Sequence, residues 1–176
     1  MDIVVPDQFK VLWVQNDERP IVKYPNDVLR KKAQRIDRVT KKTREMMDRM
    51  ERIMKDAFGV GLAAPQIGVL ERVIVFKPAG QKAIALANPE ITFSEGTAIG
   101  EEGCLSLPGL YGDVERAAKI EVKGVDRDNK PVKFRFEGFT ARVVLHEIDH
   151  LEGVLFIDKV DQSTLHWQQP TGEDAE

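Results

Sequence analysis

The sequence predicts an α+β fold, with antiparallel strands lying between two helices of different character. Apolar residues recur at three- and four-residue spacing over about 40–58 and again over 138–151, which is a helical period. Between these stretches lie short apolar or β-branched runs separated by turn residues. Two of the runs, about 119–126 and 132–137, flank Asp126-Arg127-Asp128-Asn129-Lys130-Pro131, a hairpin connection.

At 176 residues the chain suits one domain with a good core. It divides into an N-terminal extension of unassigned role (1–19), a single domain (20–160) and a polar tail (161–176). A net charge of −3 provides no overall basic field for nucleic acid, and no apolar run reaches the length of a membrane span. The start, Met1-Asp2-Ile3-Val4-Val5-Pro6, lacks the basic and apolar stretches of a secretion signal, so the expected location is the cytoplasm.

In order, Phe9 to Val14 has strand-like composition, and Pro20 to Asp27 is extended and then turns. The first helix places Met46, Met47, Met50 and Met54 on one stripe, read as core. Thr40 is its N-cap and Gly59 its stop. Gly59 to Gly68 reads as a tight connection packed under that helix. Strands are expected at Arg72–Phe76, Ala83–Ala87 and Ile91–Phe93, with Asn88-Pro89 as a turn between the last two. Gly100 to Gly109 reads as a conformation-demanding loop around the single cysteine, Cys104. The second helix should begin near Gly138 and end at Gly153. After it the tail should fray, carrying a surface His166.

The second helix carries the chemistry. His146 and His150 lie four residues apart on one face, with Glu147 between them, in the H-E-x-x-H arrangement of two metal ligands and a general base. A third ligand is needed. One peptidase pattern would place it as a histidine where this chain has Phe156; the other would use a glutamate on a later helix, and only the tail follows. What remains is Cys104. Two imidazoles and one thiolate leave a fourth position open, as catalytic sites do.

Three motifs in order, Gly59-Val60-Gly61-Leu62-Ala63-Ala64-Pro65-Gln66, Glu102-Gly103-Cys104-Leu105-Ser106 and His146-Glu147-Ile148-Asp149-His150-Leu151-Glu152-Gly153, make the chain resemble a peptide deformylase over about 20–160. The resemblance implies antiparallel sheets packed around the motif helix. It also implies hydrolysis of the N-formyl group from the formyl-methionine of newly made proteins, releasing formate. Cys104, His146 and His150 would hold one divalent metal, ferrous iron first, with zinc, nickel or cobalt able to take its place. Glu147 would be the base; Gln66 and the N–H of Leu105 would supply oxyanion donors. Val60, Gly61 and Gly103 would pair with the peptide as an added strand. Val143 and Phe139, one and two turns before His146, would wall the methionine pocket. Many members have glutamine where this chain has Leu145. Association with the ribosome near its exit tunnel follows from the family, with no nucleic-acid or membrane site of the chain's own. The alternative is another metal-dependent amidase or peptidase using the same Cys-His-His set.

Overall fold

A computed structural model describes residues 1–170. A 3-10 helix at Asp7–Trp13 opens the chain, where the composition had suggested a strand; its seven residues bury only Phe9. Helix α1 spans Lys41–Asp56, and the Thr40 hydroxyl accepts from Thr43 N, as an N-cap should. Its Met47, Met50 and Met54 are buried. The helix closes on Phe58, not Gly59: Phe58 takes the left-handed φ of 55°, and Gly59 N donates to Met54 O. Gly59 serves a different need, since a Cβ there would lie 2.6 Å from Leu105 Cδ1.

The next stretch is β1 (Gly61–Ala63) followed by a 3-10 turn over Ala64–Ile67. Strand β2 (Val73–Phe76) leads to β3 (Ile84–Glu95). The latter joins two expected strands into one: Asn88 and Pro89 form a bulge, not a turn. Asn88 adopts a positive φ of 48° and exchanges side-chain hydrogen bonds with the backbone of Ile36. Strands β4 (Ala98–Cys104) and β5 (Leu107–Arg116) form a tight hairpin where a loop was expected. Glycines in β4 gave the segment its loop-like composition. Strands β6 (Lys119–Val125) and β7 (Pro131–Glu137) pair in the anticipated hairpin register.

Helix α2 covers Gly138–Leu151. The tail then folds as far as it is described, through β8 (His166–Trp167) paired on β5. The part of the tail expectation covering 171–176 lies outside the described residues.

All named strand pairs are antiparallel, in sheets ordered β1-β2-β3-β6-β7 and β4-β5-β8. Strand alternation decides what each face of the larger sheet covers. Val73 and Val75 pack with the α1 methionines, while Ile74 and Phe76 pack with Ala141, Val144 and Leu151 of α2. The motif helix is therefore held against one face of the sheet. The small sheet meets the same helix through polar side chains: Glu102 of β4 bonds Arg142 and His146, and Arg116 of β5 bonds Asp149.

Gly153 ends α2. Its N–H donates to His150 O and that of Val154 to Asp149 O, with Gly153 at φ 72°. A Cβ here would meet the Arg30 carbonyl oxygen at 2.5 Å. Gly153→Ala should cost about 2 kcal/mol, read as a Tm lowered by about 5 °C. An unchanged Tm would show that this turn tolerates a side chain.

Candidate active site

Strand and helix periods meet at one point. Residues 102 and 104 share a face of β4, and 142, 146 and 150 share a face of α2. The donor atoms of Cys104, His146 and His150 consequently lie within 4.8 Å of one another. Cys104 Sγ is 3.4 Å from His150 Nε2, and the two imidazoles sit 5.0 Å apart, centre to centre. Phe156 stacks on the His146 ring.

Glu102 orients the first histidine. Its Oε1 lies 2.8 Å from His146 Nδ1, and a carboxylate only accepts, so Nδ1 carries a hydrogen and Nε2 is the ring nitrogen left to face a metal. The same carboxylate accepts from Arg116 Nε and Nη2 at 2.8 Å and from Arg142 Nη1 at 2.7 Å. Arg116 also donates to Asp149, two residues beyond Glu147. Burial favours the protonated form of Glu102, but the bonds from Arg116 and His146 outweigh it and hold the group well below the usual carboxylate range.

His150 is pushed well below its ordinary pKa by burial and then by the positive charge of His146 and Arg116, leaving a neutral imidazole. His146 moves the opposite way. Burial opposes its protonation, but hydrogen bonds to Cys104 and Glu102 and the charge of Glu147 prevail. Glu147 is pushed up to about 7, chiefly by burial. Its Oε1 and His150 Nδ1 are buried atoms without a hydrogen-bond partner among the described residues. A carboxyl group that titrates near neutrality can both take and return a proton.

Gln66 is buried beside them. Its Oε1 accepts from Ala63 N at 3.0 Å, which fixes the amide orientation. Its Nε2 then donates to Ser106 Oγ at 3.1 Å and faces Cys104 Sγ at 3.6 Å. Gln66, Leu105, Val60, Gly61, Gly103, Phe139 and Val143 all line one cleft of about 930 Å³ together with Cys104, His146 and Glu147. Leu145 instead packs into the apolar core under α2.

Residues 18–166 match the family model described as polypeptide deformylase. The chain belongs to the polypeptide deformylase family. It is 55% identical over 141 residues to the peptide deformylase of Halothermothrix orenii, covering 80% of this chain and 92% of that one. Among solved structures it resembles a peptide deformylase from Legionella pneumophila (TM-score 0.78, 43% identity, 81% and 86% of the two chains). It also resembles that from Thermus thermophilus (0.78, 42%, 82% and 86%).

Deformylases of this family depend on a metal, and the donor set fits one. A soft thiolate and two imidazoles suit a borderline divalent cation, one histidine is already neutral, and the other is oriented by a carboxylate. Sequence reasoning missed the partners behind these three side chains. Glu102 was visible only as part of a motif. Arg142, one turn before His146, could have been found from the helical period. Nothing local marks Arg116.

Gly61 explains part of the glycine-rich motif. A Cβ on it would collide with the Glu147 carboxylate, whose Cδ would be 2.9 Å away. Gly61→Ala should lower kcat about 100-fold by displacing that group, with metal content unchanged. Wild-type kcat in this variant would show that the carboxylate has room to move.

Proposed function

We infer that this chain hydrolyses the N-formyl group from the formyl-methionine end of newly made proteins. The formyl C–N bond breaks, water oxygen joins the formyl carbon, and formate leaves. The convergence of Cys104, His146 and His150 beside a buried Glu147 oxygen that has no partner among the described residues carries this reading. Those three side chains would hold one divalent ion, ferrous iron first and zinc, nickel or cobalt as substitutes. Such an ion supplies Lewis-acid chemistry, polarising a carbonyl and lowering the pKa of water.

The chain's own groups do the rest. Glu147 takes the proton of the attacking water and returns it to the departing amine nitrogen. The Gln66 amide and the Leu105 N–H face the charge that develops on the formyl oxygen. Strands β1 and β4 are edge strands of their two sheets, and residues of both line the cleft, so an extended peptide can be added to them. Val60, Gly61 and Gly103 present backbone for that pairing. Val143 and half-exposed Phe139 offer apolar surface to the methionine side chain. A reaction on nascent chains puts the protein in the cytoplasm, transiently near the ribosomal exit. No helix among the described residues is long and apolar enough to cross a membrane.

The test is formate release from formyl-Met-Ala by anaerobically prepared, iron-loaded protein. Chelation should abolish it and added ferrous ion restore it. Folded, metal-loaded protein that releases no formate would end this reading.

A further inference from the structure

The catalytic cleft does not stop at the residues that hold the metal. Its lining continues outward onto Leu12, the turn at Asp17–Pro20, and Gln168 to Pro170. Residues 1–17 and those after 166 lie outside the family match. Both chain ends thus wall a cleft whose inner part is the deformylase centre.

They are fixed there by specific packing. Phe9 is buried against Gly109, where a Cβ would come within 2.7 Å of its ring, and lies 5.3 Å from the Trp167 ring. Trp13 Nε1 donates to Pro108 O at 2.9 Å, and Gln168 N donates to Gly109 O at 2.8 Å. The turn after the 3-10 helix is closed by paired backbone bonds between Asn16 and Arg19, and Arg19 Nη1 reaches back to Val11 O. Pro108 and Gly109 are the second and third residues of β5, four and five residues beyond Cys104. The anchored ends therefore form a shelf with a fixed position relative to the metal ligands. Leu12, Pro20 and Pro108 give it apolar surface.

We propose that this shelf binds the nascent peptide downstream of its first two residues, making Leu12 a specificity-determining residue for longer substrates. The occupant follows from continuity. A peptide laid along the edges of β1 and β4 with its formyl end at Cys104 has to leave along the same cleft. That cleft, at about 930 Å³, is near the upper end of small-molecule sites, roughly 300–1,000 Å³. The proposal rests on the deformylase reading.

The experiment compares formyl-Met-Ala with a formyl-Met hexapeptide carrying apolar residues at positions three to five. Binding is measured on the Glu147→Gln protein and kcat/KM on the active one. The hexapeptide should be favoured, and Leu12→Glu should reduce its advantage about fivefold, the effect of losing one partly buried leucine contact. Phe9 and Trp13, which anchor the segment, stay intact in that variant. A second variant, Pro20→Glu, should act in the same direction. Formate release with no length preference, or a preference that both variants leave unchanged, overturns the shelf alone. Absence of formate release from both peptides overturns the underlying reading and the shelf with it.

Discussion

Glu147→Gln should keep the metal and lose turnover by about 10²–10⁴-fold, the usual contribution of a positioned acid–base group. The amide matches the carboxylate in shape, so the buried site at the end of β1 stays filled. What disappears is the ability to hold a proton. Glu147 is suited to that task by its surroundings: it is buried, one of its oxygens has no partner among the described residues, and burial pushes it up to about 7. Metal content by elemental analysis and formate release on the same preparation test both halves. Surviving turnover would transfer the proton to another group.

Glu102→Ala should be the most damaging change to the protein as a folded object. The carboxylate receives hydrogen bonds from Arg116, Arg142 and His146, and the side chains of all four are buried. Removing it leaves two guanidinium groups without their shared anion, a loss of about 3–5 kcal/mol. It also frees the His146 ring, which should weaken metal binding about 10–100-fold. Thermal denaturation with and without chelator separates the two effects. An unchanged Tm together with unchanged metal affinity would show that the arginines find other partners and that His146 needs no support.

The helices and the hairpin of β6 and β7 were legible because period is a local property. A stripe at three- and four-residue spacing, or strict alternation around a turn, survives any tertiary context. The histidine pair was legible for the same reason, and Cys104 because it had no competitor. What could not be read was pairing at a distance. Gly100 to Cys104 looks like a loop by composition, yet β5 supplies it with a ladder and Arg142 fills the space a side chain at Gly100 would take. Asn88-Pro89 looks like a turn, but Asn88 is bonded to Ile36 and β3 runs through it. Phe9 to Val14 has strand-forming residues, but it packs as a 3-10 turn on Trp167. The Glu102 network was hidden for a related reason: single residues on β4, β5 and α2 become one cluster only after the strands have paired.

The shared face of Glu102 and Cys104 on β4 ties the site to the register of the β4–β5 hairpin. Side chains on a strand alternate, so moving β4 by one residue against β5 would turn Glu101 and Gly103 toward α2. Glu101 now points the other way, where it pairs with His166, and Gly103 has no ligand to offer. A slipped hairpin would withdraw the Cys104 thiol from the two histidines and Glu102 from His146 in the same step. Of these alignments the native one gathers Cys104, His146 and His150, so a metal held by them would favour it over its neighbours. A bound ion would thus add to what Glu102, Arg116 and Arg142 already do in holding β4 in register.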